Sequence, residues 1–183
     1  GSLSQRTTTK YDSAPTTTDR FFIFPIQTIN EHDGTGEAIT YDYSTTTGNL
    51  SDKIEWGTVT VSDPLTFSDT GSDKRATYYT YGNSTTTNVT VPTNITVKDQ
   101  SGTKVAEQLF TYDGGTVSKG LPTNIASWVT SSTYNNTGKS YYSSGQVNTV
   151  TDPRGKVTTY TYDAYSLLPT QIAKPLSLTQ NFT

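Results

Sequence analysis

The sequence predicts an all-β fold: an antiparallel, curved sheet of successive β-hairpins. Three observations predict it. Segments such as Thr58-Val59-Thr60-Val61-Ser62 alternate with period two. Turn clusters that end in Gly punctuate them. One phrase also recurs along the chain: an Asp- or Asn-rich turn closed by Gly, a Tyr-bearing strand, then a segment reading hydrophobe, Pro, Thr, amide, Ile. One copy runs Asp152-Pro153-Arg154-Gly155, Tyr160-Thr161-Tyr162-Asp163, Leu168-Pro169-Thr170-Gln171-Ile172. Another runs from Asp99 through Gly102 and Tyr112-Asp113 to Leu121-Pro122-Thr123-Asn124-Ile125. Repetition on this scale points to stacked units that bury one another's apolar faces.

Taken in order, residues 1–19 lack hydrophobic alternation and carry the tracts Thr7–Thr9 and Thr16–Thr18, which predicts a disordered stretch or linker. Residues 20–183 hold the repeat sheet. Ile39, Tyr41 and Tyr43 share one strand face, as do Tyr160 and Tyr162, while Thr and Asp fill the other. The tracts Thr45–Thr47 and Thr85–Thr87 read as loops. Turns are expected at Asp33-Gly34-Thr35-Gly36, Ser68-Asp69-Thr70-Gly71, Asp99-Gln100-Ser101-Gly102, Asn135-Asn136-Thr137-Gly138 and Asp152-Pro153-Arg154-Gly155. In each, Asp, Asn or Ser can bond the downstream backbone and Gly supplies a positive φ. Thr103–Phe110 has helical spacing in Val105 with Leu109 and Ala106 with Phe110, but its place between a turn and Tyr112-Asp113 predicts a strand. The step from turn Gly to Tyr is seven residues from Gly155 to Tyr162 and ten from Gly102 to Tyr112. Uniform facing therefore requires a bulge or a shifted turn.

Composition bounds the function. At 183 residues one domain with a sizeable core is the default. Thr and Ser make up roughly a third of the chain, 13 residues are Tyr, and charged residues reach only 16%. A net charge of -3 without a basic block argues against nucleic acid as a partner. Zero Cys excludes disulfides and thiolate metal sites. The longest apolar run, Phe21-Phe22-Ile23-Phe24-Pro25-Ile26, is far short of a bilayer-spanning helix, so membrane insertion is not expected. The chain has no Met and opens on Gly1-Ser2, and the reading is of a fragment cut from something longer.

The segment from Gly145 to Asp163, with Asp152-Pro153-Arg154-Gly155 and Tyr160-Thr161-Tyr162-Asp163 at its heart, resembles the consensus of RHS or YD repeat proteins. Tyr41-Asp42-Tyr43 with Gly48-Asn49-Leu50 resembles a further copy. The resemblance reaches back to about Ile39 and departs from the family pattern after Asp163, where Ala164-Tyr165-Ser166 replaces the usual Gly-Arg-Leu or Gly-Asn-Leu, and at Gly82, which follows Tyr81 where Asp is usual. In that family, hairpin arrays coil into a hollow β-shell enclosing a C-terminal toxin, and related repeats occur in surface and wall-associated proteins. The resemblance implies a wall segment of a secreted or surface-exposed bacterial protein. Its partners would be the remainder of the parent array and its cargo, with edge-strand self-association of the isolated piece expected.

Weighed alone, the residues offer little catalysis. His32 is the only histidine and no Gly-x-Ser-x-Gly elbow is present, which argues against a triad. Asp33, Asp69, Asp99, Asp113, Asp152 and Asp163 recur at equivalent places, as turn-capping residues do. The stretch Asp33 to Glu37 lacks the spaced ligands of a calcium loop. No catalytic, cofactor or metal residue is assigned. Tyr78, Tyr79, Tyr141, Tyr142 and Tyr165 form a possible binding face, because exposed rings stack on sugars; the alternative is that they pack inward. Two other functions follow from the residues: an adhesin or carbohydrate-binding module using those Tyr, and a glycoside hydrolase with two facing carboxylates.

Overall fold

The computed structural model describes residues 5–12 and 23–182. Fourteen strands form one open antiparallel sheet: β1 (Gln5–Tyr11), β2 (Pro25–His32), β3 (Thr35–Tyr43), β4 (Leu50–Asp63), β5 (Thr66–Asp69), β6 (Arg75–Asn83), β7 (Thr90–Lys98), β8 (Lys104–Tyr112), β9 (Pro122–Thr130), β10 (Thr133–Tyr141), β11 (Val147–Thr151), β12 (Val157–Tyr162), β13 (Pro169–Lys174) and β14 (Leu178–Asn181). The hydrogen-bonded order follows the sequence, except that β5 pairs with β4 off the main path. Nearly every connection is thus a hairpin, the arrangement short turn signals between alternating segments demand. The chain divides into two compact units: residues 1–80 with 95–105, and residues 81–94 with 106–183.

The first unit has its core on one face of β2, β3 and β4. Ile29 and Val59 are almost wholly buried, and Ala38 and Val61 complete the cluster, with Trp56 and Phe67 packed against it. Register explains the set: Ile29 pairs with Ala38, and Gly36 pairs with Val59. A bulge between Ala38 and Ile39 makes Trp56 the extra residue of β4, so its indole joins the same apolar face. There it meets Phe67 edge-on at 5.5 Å, and its Nε1 donates to Thr40 Oγ1 at 3.0 Å. Gly57, next in the bulge, has φ +64, and a Cβ there would lie 2.3 Å from the carboxyl carbon of Asp73. Asp73 is clasped because it caps the bulge, accepting the Thr58 N–H at 3.2 Å and the Thr58 hydroxyl at 3.1 Å.

In the second unit the buried hydrophobic residues among those described are Tyr112 and Ala126. Phe110 and Tyr112, two residues apart on β8, lie on the same face with ring centroids 6.2 Å apart. Ala126 sits opposite Leu109, and Ile125 opposite Phe110.

Several expectations hold. Of Thr103–Phe110, Lys104 onward lies on strand, and the turns at Asp33-Gly34, Asp99–Gly102 and Asp152–Gly155 reverse the chain. At Asp33-Gly34 both φ values are positive, +50 and +80, as a two-residue hairpin turn requires. Three expectations are corrected. Ser68-Asp69-Thr70-Gly71 does not reverse the chain: Ser68 and Asp69 end β5, and β5 and β6 both run antiparallel to β4. Residues 1–19 are not all linker, because Gln5–Tyr11 form β1 in register with β2, from Gln5 opposite His32 to Tyr11 opposite Pro25. Main-chain pairing needs no hydrophobic alternation, and here Arg6 bonds Glu31 while Thr7 bonds Asn30. The rest of that stretch, residues 1–4 and 13–19 with the tract Thr16–Thr18, lies outside the described residues, as do Phe21 and Phe22. Asn135-Asn136-Thr137-Gly138 is not a turn but the middle of β10. The reversal falls at Ser131-Ser132, where Ser131 takes φ +49 and its carbonyl accepts the Trp128 indole N–H at 2.9 Å.

Candidate functional site

The recurring phrase folds into a recurring device. At Tyr11, Tyr43, Tyr112, Tyr141 and Tyr162 the register to the next strand slips by one residue, immediately before the Tyr. The bulge is common to copies with unequal turn-to-Tyr spacings, since its extra residue lies on the strand that follows the Tyr. The extra residue is the Thr of Pro-Thr or its counterpart. A bulge deprives a backbone carbonyl of its ladder partner, and a hydroxyl replaces it: Ser51 donates to the Asp42 carbonyl at 3.1 Å, Thr123 to Thr111 at 3.2 Å and Thr170 to Thr161 at 3.2 Å.

The residue after each strand end then closes the loop. The N–H of Asp12 donates to the Phe24 carbonyl, Ser44 to Asn49, Ser84 to Val89, Asp113 to Leu121, Tyr142 to Gln146 and Asp163 to Leu168, all at 2.8 to 3.0 Å. Pro begins the following strand at no cost, since the position opposite Tyr needs no donor. Its carbonyl is used one strand later: the Tyr43 hydroxyl donates to Pro25 at 3.2 Å, Tyr112 to Pro92 at 2.8 Å and Tyr141 to Pro122 at 2.8 Å. The amide that follows Thr also bridges strands, Asn94 to Glu107 at 3.2 Å, Asn124 to Asn136 at 3.1 Å and Gln171 to Asn181 at 3.1 Å. Sequence reading missed Val91-Pro92-Thr93-Asn94-Ile95 as a copy of this phrase, although the letters match those of Leu121 to Ile125. It also missed that Ser44-Thr45-Thr46-Thr47-Gly48 and Ser84-Thr85-Thr86-Thr87-Asn88 are equivalent loops. In each the Ser hydroxyl accepts the N–H three residues on, and the fifth residue takes a positive φ.

The carboxylates serve the turns. Asp99 Oδ1 accepts from the N–H groups of Ser101 and Thr103, and Asp152 Oδ1 from those of Arg154 and Lys156. Asp163 Oδ1 takes the Leu167 and Leu168 N–H groups. Asp113 gathers four, with Oδ2 facing Ser118, Lys119 and Gly120 at 2.8 to 2.9 Å and Oδ1 facing Leu121 at 3.3 Å. Desolvation alone would raise its pKa, yet those four donors outweigh it and hold the carboxyl below 3.8. The Ser101 hydroxyl lowers Asp99, and the Lys156 N–H lowers Asp152. A depressed folded-state pKa means that the unfolded chain binds protons first as pH falls. The stability these caps supply is complete above the ordinary value of 3.8 and is lost as pH falls through the lowered folded values. Urea titrations between about pH 5 and pH 2 will therefore show a falling midpoint, and Asp113→Asn will lie lower at neutral pH with a shallower acid limb.

The candidate binding tyrosines fall in both units and differ in setting. In the first unit Tyr78 and Tyr79 are neighbours on β6, and strand alternation sends their rings to opposite sides. Tyr78 is exposed with Lys98 Nζ 5.1 Å from its ring centre, and Tyr79 is half-buried. In the second unit Tyr141 is a repeat Tyr, half-buried and bonded to Pro122. Tyr165 is 83% exposed, beside exposed Leu167 and Leu168. Tyr142 is exposed but fixed: its hydroxyl donates to the Tyr160 carbonyl at 2.9 Å, and its ring meets Tyr162 edge-on at 5.9 Å. Tyr141 and Tyr142 line an open groove of about 550 Å³ with Asp113, Lys119 and Lys139. His32 is exposed, its Nδ1 3.6 Å from Asp33 Oδ2. Among the described residues no three His, Asp or Glu side chains gather to hold a metal.

A family model described as RHS Repeat matches residues 141–178. The matched stretch contains the Tyr141 and Tyr162 bulges, the Asp152–Gly155 turn, the loop closed by Asp163 and the Pro169-Thr170 bulge pair. No curated protein matches the chain. The device is a structural one that recurs along the chain, and within residues 141–178 it coincides with an RHS repeat.

Proposed function

We propose that this chain is a wall segment of a secreted or surface-exposed β-shell, which encloses a toxin or other cargo polypeptide at the C-terminal end of a longer repeat array. The observation that carries this reading is where the chemistry-bearing side chains go. Repeat Tyr and Thr hydroxyls and turn Asp carboxylates are spent on backbone groups of their own hairpins, in both units, and amide groups bridge neighbouring strands, which is how a wall is built. The segment works mechanically: ladder hydrogen bonds and Tyr, Ile and Val packing keep a boundary closed, and no enzymatic step is assigned to it. Its partners are the neighbouring repeats and the cargo they surround. In the parent protein, the region downstream of the array will resist added protease while the array is folded and become cleavable when wall hairpins are destabilised. Cleavage of that region at the same rate with the array intact would overturn the reading.

A second reading, an extracellular adhesin or carbohydrate-binding module, is favoured by one observation, the exposed and rigidly held Tyr142 ring beside the groove. Retention of the isolated chain on a glycan array, lost in Tyr142→Ala, would support it.

A further inference from the structure

We propose that Asp33 is a site of spontaneous aspartyl isomerisation and that the fold protects the chemically equivalent Asp113. Asp-Gly occurs twice in the sequence, at Asp33-Gly34 and Asp113-Gly114. This dipeptide is open to the reaction because Gly puts no side chain in the way when its backbone nitrogen attacks the Asp carboxyl carbon. The new N–Cγ bond closes a succinimide ring as the amide proton and the carboxyl hydroxyl leave as water. Water then opens the ring at either carbonyl. Opening at the Asp33 main-chain carbonyl breaks its bond to the Gly34 nitrogen, leaves the chain running through Cγ and frees an α-carboxylate, which is isoaspartate.

The two sites share a local backbone. Asp33 and Asp113 have φ +50 and +51, both glycines have φ +80, and neither glycine has an atom within 4 Å of where a Cβ would stand. Main-chain φ and crowding therefore do not separate them; hydrogen bonds do. At Asp113 both reacting groups are tied, the carboxylate by four N–H donors and the Gly114 N–H by Thr123 Oγ1 at 3.1 Å. Against the opposing pull of desolvation, those donors also hold the carboxyl below 3.8, so the protonated acid from which water leaves is rarer. At Asp33 both groups are loose. Its carboxylate is half exposed and accepts no hydrogen bond among the described residues, with His32 Nδ1 3.6 Å away, and the Gly34 N–H donates to none of them.

Isomerisation there reaches the core of the first unit. The Gly34 carbonyl accepts the Val61 N–H at 2.8 Å, which ties the β2–β3 turn to β4 beside the cluster of Ile29, Ala38 and Val59. Isoaspartate adds a main-chain carbon between His32 and Thr35, an insertion that a two-residue turn cannot absorb without displacing that carbonyl.

The test incubates the purified chain at mildly acidic pH, folded and in guanidinium chloride, and maps isoaspartate with a protease that cuts before Asp but not before isoaspartate. The expected result is conversion of Asp33 at least about tenfold faster than Asp113 in the folded chain, and comparable rates for the two once unfolded. Equal rates in the folded chain, or Asp113 converting first, would overturn the proposal. So would a folded Asp33 that stays intact while the unfolded chain converts, and a tenfold difference that persists after unfolding would place its cause in the local sequence and not in the fold. Asp33→Ser cannot form the ring, and Ser131 and Ser166 already take φ +49 and +56 in this chain, so the variant will fold. Its urea midpoint will hold on incubation while that of the parent chain falls; an equal fall in both would overturn the stated effect on the first unit.

Discussion

Replacing Ile29 by Ala will lower the unfolding free energy of the first unit by about 3 kcal/mol, among the largest losses any single side chain can cause here. Ile29 is 1% exposed and lies at the centre of a cluster containing only Ala38, Val59 and Val61 besides the flanking Trp56 and Phe67. The strands around it are tied on both edges, β2 by β1 and β3, and β3 by β2 and β4, which restrains collapse into the cavity. Neighbouring Gly36 tightens the restraint, because a Cβ there would lie 2.1 Å from the Asn30 carbonyl oxygen. Urea denaturation followed by Trp56 fluorescence, in a Trp128→Phe background, reads this unit directly. A loss below about 1 kcal/mol would mean that the cluster is not the core.

Tyr112→Ala will be comparably damaging to the second unit, at about 4 kcal/mol, while Tyr112→Phe will cost only about 1 kcal/mol. The two variants separate the roles of the ring and the hydroxyl. The ring is buried against Phe110 and removes most of its area from water; the hydroxyl satisfies the Pro92 carbonyl at 2.8 Å. Loss of the hydroxyl alone forfeits one net hydrogen bond, whereas loss of the ring opens a cavity in a unit whose described buried apolar residues are few. If Tyr112→Phe proved as harmful as Tyr112→Ala, the bond to Pro92 and not the packed ring would be what holds this position.

Much of this was legible in the letters, for a physical reason. Strand alternation and Gly-closed turns are local, and the Asp99 and Asp152 turns have the geometry their Asp-x-x-Gly spelling demands, with Gly102 and Gly155 at positive φ. The bulge at each repeat Tyr was not legible. That the Thr of Pro-Thr is the inserted residue depends on a hydroxyl reaching a carbonyl of the preceding strand, a contact between residues nine to twelve apart in sequence. Asn135–Gly138 misled because Asn-Asn-Thr-Gly carries turn propensity, and pairing with β9 overrode it. β1 was hidden for the converse reason: an edge strand held by ladder bonds and polar pairs needs no apolar face. The five tyrosines could not be sorted by residue type, because burial of Tyr141 and exposure of Tyr165 follow from whether a ring falls at a bulge or in a loop tip.

Each repeat ends in the same closed loop, made by the amide that follows the strand. Backbone hydrogen exchange of Asp12, Ser44, Ser84, Asp113, Tyr142 and Asp163 tests it most directly. These amides sit at loop entrances, yet each should exchange at least about a hundredfold more slowly than an unstructured peptide, because each donates to a carbonyl across its loop. Exchange of these six at unstructured rates, with the strand interiors still protected, would contradict the account.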